Sequence, residues 1–256
     1  MKNMRPIIEW IDKKKVEQVY SAKYWNDIKE EKKKEWWVTD KTDNKIVNYL
    51  RSSGLFEEFK IVQKKLEEKS LLCGNILDVA AGVCWTSALL SKCKDVKRID
   101  AIDFSWHRLS KLAPVVCANF EAYTDKIQRI FGTFYDIKKR NEYYDLIIMS
   151  QAFHHADNPL RLLLECDRVL KPRGGIVLIG EHLITQFKFF KRGVKHFILT
   201  RKINVNFYEL FKPDEKLGDH YYRIDDYYFL FQSIGCYKIE YYQTNIRNSL
   251  VIIARK

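Results

Sequence analysis

The chain has 256 residues, 46% of them hydrophobic, and its 45 lysines and arginines against 33 acids leave a formal net charge of +12. That length suits one large α/β domain with embellishments and is too short for two full-sized ones. No apolar run approaches the roughly 18 residues of a bilayer-spanning helix, and the start, Met1 to Pro6, meets charge again after two isoleucines, so neither a membrane span nor a secretory leader is expected.

The six cysteines (Cys73, Cys84, Cys93, Cys117, Cys166, Cys236) lack C-x-x-C spacing and sit mostly in apolar segments. They read as buried free thiols in a reducing cytoplasm, with no metal site and no disulfide expected.

Residues 1–70 form a compositional block of their own, a predicted helical lid or extension. Ile8, Ile11, Val19 and Tyr20 give a loose helical period, and lysine runs at Lys13–Lys15 and Lys32–Lys34 suit a solvated face. The aromatic cluster Tyr20, Tyr24, Trp25, Trp36 and Trp37 either anchors these helices to the core or closes over a pocket. In the second reading Tyr24 and Trp25 touch substrate. Ser53-Gly54 breaks the block before an amphipathic helix, Phe56 to Lys69.

From Asn75 the alternation becomes regular, within a predicted main domain of residues 71–256. Strand 75–80, helix 85–93, strand 97–103 and helix 105–118 come first; strand 127–132, strand 144–150, helix 157–170 and strand 175–181 follow. Strands separated by helices predict a parallel sheet with helices on both faces. Asp78-Val-Ala-Ala-Gly82-Val-Cys84 joins the first strand to its helix, and Asp103 ends the second strand 25 residues after Asp78. A tight small-residue turn lets the backbone approach a ligand, and the second acid can accept both ribose hydroxyls. This is a nucleotide-binding βαβ unit.

After Glu181 the pattern changes. Between Leu183 and Tyr208 stand Lys188, Lys191, Arg192, Lys195, Arg201 and Lys202 with no acid, interleaved with Phe187, Phe189, Phe190, Phe197 and Phe207. A field of that sign favours an anionic partner. The segment can line a pocket for an anionic substrate, lie on a membrane surface or contact tRNA. Alternatively it is a plain helix with phenylalanines inward and lysines outward. Residues 183–235 read as an insertion. A helix from Arg223 to Ser233 and strands at Tyr237–Tyr242 and Leu250–Ala254 follow; Gln243–Ser249 is too short for a crossover helix, so the last strand runs antiparallel to its predecessor.

The order of motifs resembles the class I S-adenosylmethionine-dependent methyltransferases of the small-molecule type 11 kind. Four pieces carry it: Ile76-Leu-Asp-Val-Ala-Ala-Gly82, Ala101-Ile-Asp103-Phe-Ser, Tyr144-Asp-Leu-Ile-Ile-Met-Ser-Gln151-Ala-Phe-His-His155 and Arg168-Val-Leu-Lys-Pro-Arg-Gly-Gly-Ile-Val-Leu-Ile179. The resemblance implies a Rossmann-like sheet of seven strands, mostly parallel, with an antiparallel C-terminal strand, and S-adenosylmethionine as cofactor. By the same resemblance Asp78 and Ala80, Ala81 and Gly82 would hold the amino-acid end. Asp103 would take the ribose and Phe104 the adenine face. Asp136 would bond the adenine amino group, with Tyr135 and Gln151 in the same cofactor set. Ala80 and Cys84 depart from the usual glycines of the turn. A NAD-linked dehydrogenase competes for the same turn and acid, but it prefers a second glycine against the pyrophosphate where this chain has Val83-Cys84.

Methyl transfer to a hydroxyl gains from a general base, whereas an amine needs only to be unprotonated. The loop after the fourth strand supplies His154 and His155, and the rim of the next strand supplies Glu181 and His182. His155 is expected to be the base and His154 the more packed of the two. Glu181 would orient the base or bind a hydroxyl, and His182 would touch substrate. Asp157-Asn158-Pro159 reads as a helix cap. The expected acceptor is a small, polar, anionic metabolite, a sugar or sugar nucleotide of a bacterial surface polysaccharide first. A phospho-base such as phosphoethanolamine and tRNA are the alternatives. The sequence carries no signal for an oligomeric state.

Overall fold

The computed structural model describes residues 4–16, 26–33, 37, 44–204, 206–213, 218–235 and 237–256. Their centre is one eight-stranded sheet in the order β1-β4-β3-β2-β5-β6-β8-β7. The strands are β1 (Ile8–Glu9), β2 (Gly74–Val79), β3 (Val96–Asp103), β4 (Ile127–Phe131), β5 (Tyr144–Ser150), β6 (Leu170–Glu181), β7 (Lys238–Gln243) and β8 (Leu250–Arg255). All pairs are parallel except those of β8, which is antiparallel to both β6 and β7. Ten helices accompany it among the described residues: α1 (Lys13–Val16), α2 (Ile28–Glu31), α3 (Lys45–Ser52), α4 (Leu55–Glu68), α5 (Trp85–Leu90), α6 (Ala113–Asn119), α7 (Pro159–Val169), α8 (Gln186–Thr200), α9 (Phe207–Leu210) and α10 (Ile224–Ile234).

The central strands are apolar on both faces because both are covered. Ile76, Leu146, Ile148, Val177 and Ile179 pack on one side with α4, α5 and α6. Their chain neighbours Leu77, Ile147, Met149, Ile176 and Leu178 pack on the other with α7 and α10. That split is the two-residue period of a strand. The chain runs from β2 outward through β3 to β4 and then returns to β5 on the other side of β2. At this reversal the strand ends open a crevice, where α/β sheets bind ligands.

The expected Rossmann-like sheet of mostly parallel strands, closed by an antiparallel strand, is the observed one. It has eight strands where seven are expected, because β1 adds to the β4 edge. Two side chains pin it there: Gln128 Nε2 donates to Pro6 O at 2.7 Å, and the largely buried Arg129 donates through Nη2 to Arg5 O at 2.9 Å. The single helix expected over 105–118 is broken. A π-type turn, Arg108–Leu112, precedes α6, which starts with Pro114 in its first turn, where the missing N–H costs nothing. Strand β6 starts at Leu170, ahead of the expected 175, through a register shift between Tyr144 and Leu146. In the basic segment, Phe189 and Phe207 pack inward with Phe211. Phe187, Phe190 and Phe197 do not, so the inward-phenylalanine arrangement fails for most of α8. Of the aromatic cluster only Trp37 lies among the described residues, with its ring centroid 5.1 Å from that of His107; Tyr20, Tyr24, Trp25 and Trp36 lie outside them, as does Cys236. Cys84, Cys93, Cys117 and Cys166 are buried free thiols. No described helix is long and apolar enough to cross a membrane.

Candidate active site

The turn after β2 is built on three left-handed residues, Ala80 (φ +53°), Gly82 (φ +55°) and Cys84 (φ +62°). Two of them carry a Cβ where glycine is cheaper, a strain of about 1–2 kcal/mol each. The packing holds it in place. Asp78, fully buried at the end of β2, accepts hydrogen bonds from Thr86 Oγ (2.6 Å) and Ser87 Oγ in the first turn of α5. Burial, opposed by those hydroxyls, pushes its carboxyl up to about 6. Asp103 Oδ2 accepts from Gly82 N at 2.8 Å, and Oδ1 from Ser105 N at 2.7 Å. The acid at the end of β3 thus ties the glycine turn to the next strand.

Above these strand ends lie two neighbouring cavities. One, of 160 Å³, is lined by Asp103, Phe104, Thr133, Phe134 and Tyr135, with Ile11 and Val16 of the N-terminal block on its wall. The other, of 390 Å³, is lined by Asp78, Gly82, Ser150, His154, His182 and Asp219, with Ile46, Tyr49 and Leu50 of α3 beside them. Ala80, Arg108, Gln151 and His155 line both. A Cβ added at Gly82 would meet nothing nearer than Arg108 Nη1 at 3.8 Å, so the turn opens into free space. Gln151, itself at φ +56°, donates from Nε2 to Gly180 O at 3.1 Å. Gly180 sits at φ +80°, and a Cβ there would lie 1.6 Å from that nitrogen. Only glycine admits Gln151 to the cleft wall.

On the acceptor side, Phe153–His155 form one 3-10 turn after β5. His154 is buried, with Nδ1 3.0 Å from Glu181 Oε2. Burial works against its charge, but the carboxylates of Glu181 and Asp219 outweigh that and raise its pKa. Glu181 is itself 1% exposed, also accepts from Phe153 N and Tyr227 Oη, and does not line either cavity. It lies beneath the rim and holds His154. His155 faces both cavities, and its Nδ1 is 2.9 Å from Asp219 Oδ1. Partial burial works to raise the Asp219 carboxyl, yet the imidazoles of His155 and His182 prevail and hold it well below the usual carboxylate range. His182 Nε2 stands 3.9 Å from Asp219 Oδ2. The loop carrying Asp219 is fixed by the next residue: His220 N donates to His154 O at 2.7 Å.

The structure therefore brings together Asp78, Ala80, Ala81, Gly82, Asp103, Phe104, Tyr135, Gln151, His154, His155 and His182 around one cleft. Asp136 is outside it, exposed and paired with Lys138, while its neighbours Thr133 to Tyr135 face in. Tyr24 and Trp25 lie outside the described residues. Two participants escape the sequence reading. Arg108 sits in a helical run among other basic residues, and Asp219 sits in a polar loop 64 positions after His155. Nothing local marks either.

An α/β sheet with an acid at the end of β3, a glycine turn before α5 and a ligand cleft at the strand reversal defines a nucleotide-binding protein. Residues 77–178 match the methyltransferase-domain family. No curated protein matches the chain. Among solved structures it is similar to a Methanococcus maripaludis protein assigned as an S-adenosylmethionine-dependent methyltransferase (18% identity, 86% of this chain and 94% of that one, TM-score 0.56). It is also similar to a Nostoc punctiforme protein assigned as an O-methyltransferase (16%, 77% and 55%, 0.57) and to a methyltransferase of Thermotoga maritima (16%, 83% and 95%, 0.51). Residues 77–178 are thus a methyltransferase domain, set in the fold of class I S-adenosylmethionine-dependent methyltransferases, and that domain implies S-adenosylmethionine as cofactor. The donor set suits that molecule: an open glycine turn, the Asp103 carboxylate for hydroxyls, an aromatic wall of Phe104, Phe134 and Tyr135 for a base, and the Arg108 guanidinium for a carboxylate.

Proposed function

We propose that the chain transfers a methyl group to a hydroxyl of a small, polar, anionic metabolite, with His155 as general base and Asp219 as its orienting partner. The observation that carries this reading is the His155–Asp219 pair, 2.9 Å apart on the wall of the cleft. The cofactor, when bound, supplies an already activated methyl group. Asp103 would hold its ribose, Phe104 and Tyr135 its adenine, and Arg108 with the Ala80–Gly82 backbone its amino-acid end. Asp78 acts through the turn, by tying it to α5. The ionised Asp219 carboxylate beside Nδ1 favours the tautomer with its proton there, which leaves Nε2 as the basic nitrogen. As the acceptor hydroxyl loses its proton to Nε2, the imidazolium that forms is stabilised by the carboxylate behind it. His154, committed to Glu181, is a positioning residue. The N-terminal block, whose Ile11 and Val16 already wall the cleft, acts as a lid that excludes water.

For the acceptor, a sugar or sugar nucleotide of a bacterial surface polysaccharide comes first. The hydroxyl calls for a base, and the cations of α8 begin beside His182. N-methylation of a phospho-base such as phosphoethanolamine and methylation of tRNA use the same basic face. The reaction belongs to a cytoplasmic setting, in keeping with the buried thiols. One observation favours a second chemistry: donor atoms of His154, His155 and Asp219 all lie within 4.8 Å of one another, a spacing that suits a divalent cation. A methyl-transfer screen over nucleotide sugars, phospho-bases and bulk tRNA, run with and without chelator, tests the proposal. Transfer to a sugar hydroxyl that withstands chelation is expected. Activity on tRNA alone overturns the substrate class, and activity lost to chelator and restored by a divalent cation makes the trio ligands in place of a base pair.

A further inference from the structure

Helix α8 is turned the wrong way for a soluble protein. A surface helix ordinarily buries its apolar stripe and exposes its charges, yet none of the 15 residues of α8 is buried. At about 100° per residue, Phe187, Phe190, Val194, Phe197 and Ile198 fall within an arc of about 100° and form one continuous stripe. All five are exposed, Phe187 by 73% and Phe190 by 67%. The narrow face that does touch the protein is carried by Phe189, packed on Phe207 and Phe211, and by Arg192, whose guanidinium lies 4.6 Å over the Phe211 ring. Past the helix end Ile203 (83% exposed) adds further apolar surface beside the exposed Arg201 and Lys202, while Leu199 (72%), in the last turn, lies among the cations.

Charge flanks this stripe on one side only. Lys191, Lys188 and Lys195 follow it around the helix, and no acid occurs between Leu183 and Tyr208. With Arg192 and His196 they line a cavity of 710 Å³ that reaches His182, which also lines the acceptor side of the cleft. We propose that α8 lies in the surface of an anionic lipid bilayer, with its Phe187–Ile198 stripe in the acyl boundary and its lysines at the head groups. An exposed apolar arc beside a cationic one, on a helix that packs lightly on the protein, is the pattern of an interfacial helix. A nucleic acid satisfies the lysines but not the stripe: Val194, Ile198, Leu199 and Ile203 have no ring on which a base can stack. The lipid surface satisfies both. The docked helix places the mouth of the basic cavity at the head-group layer, so, on the acceptor class proposed above, the anionic acceptor enters the cleft from that layer along Lys191 and Lys195 towards His182.

Flotation of the full chain with phosphatidylcholine vesicles, with and without phosphatidylglycerol, is the test. Wild type should float with the anionic vesicles, stay behind with the neutral ones, and be released at high salt. Lys191→Ala and Lys195→Ala should each weaken partitioning about fivefold. Phe187→Glu/Phe190→Glu should weaken it at least about a hundredfold, the loss of two buried rings. These side chains point away from the protein, so cofactor affinity in the Phe187→Glu/Phe190→Glu variant should equal that of wild type and serves as the folding control. Four results overturn the proposal. The first is no binding to anionic vesicles. The second is equal binding by the phenylalanine variant, which would mean charge alone. The third is sedimentation as a dimer that the same variant dissociates in the absence of vesicle binding, which would make the stripe a contact between two copies. Binding of tRNA that the phenylalanine variant loses, with no vesicle binding, also overturns it.

Discussion

Removing either member of the His155–Asp219 pair should reveal whether the two act as one base. General-base catalysis contributes about 10²–10⁴-fold, so His155→Ala should lower kcat by that factor, about 2.7–5.4 kcal/mol of transition-state stabilisation. Asp219→Asn keeps the shape and removes the charge. Asp219 is ionised at any working pH, since His155 and His182 hold its carboxyl well below the usual range. The substitution therefore removes the carboxylate charge that stands 2.9 Å from Nδ1, the charge that favours the proton on that nitrogen and stabilises the imidazolium. Misplacing a catalytic group by about 1 Å can cost up to about a hundredfold, so a loss of tenfold to a hundredfold is expected. In the double variant the second change should be silent, because an orienting partner has nothing left to orient. The assay is transfer of labelled methyl to the hydroxyl acceptor found by the screen, with cofactor affinity measured alongside and expected to be unchanged. Additive losses in the double variant would refute the pairing. Wild-type kcat in His155→Ala would remove His155 as base and leave His182, on the same rim, as the next candidate.

Two further predictions concern the frame beneath the chemistry. Asp78 binds its proton more tightly folded than unfolded, with its carboxyl moved from the usual 3.8 to about 6 by burial. The folded state therefore holds more protons between about pH 4 and pH 6, and stability should fall by about 3 kcal/mol as pH rises through that window. Asp78→Asn should flatten this slope in urea titrations, and an unchanged slope would assign it to other groups. Gly180→Ala puts a Cβ on the Gln151 amide and a side chain at φ +80°, so a loss of about 1–3 kcal/mol in stability is expected. It should also weaken cofactor binding, part of which returns in Gly180→Ala/Gln151→Ala; no return would show that Gln151 is not the neighbour displaced.

The parts of this fold legible in the sequence are those where a local pattern and a local cause coincide. The apolar runs at Ile76–Val79 and Leu146–Met149 are strands because they are buried on both faces, and Asp78 stands one residue before the end of its strand and Asp103 at the end of the next, as the βαβ pattern requires. What escaped the sequence depends on distant partners. Strand β1 is two residues long and exists because Gln128 and Arg129 reach the backbone at Pro6 and Arg5. Asp219 belongs to the site only because the backbone at His220 bonds to that of His154 across the cleft. The helix expected over 105–118 reads as continuous in the sequence, which announces neither the π-type turn nor the fresh start of α6 with Pro114 in its first turn. The composition of α8 was plain in the sequence. Which side it turns to the protein was not, because only the aromatic platform of Phe207 and Phe211 decides it.

The central claim is that the cleft above β2, β3 and β5 holds S-adenosylmethionine through Asp103 and its neighbours. Isothermal titration of the cofactor and of its demethylated product into wild type, Asp103→Ala and Arg108→Ala tests it most directly. The account predicts one site per chain in wild type and at least about tenfold weaker binding in each variant, the loss of about 1.4 kcal/mol or more that a hydrogen bond to a charged group supplies. Wild type that binds neither compound, or variants that bind as tightly as wild type, would contradict it.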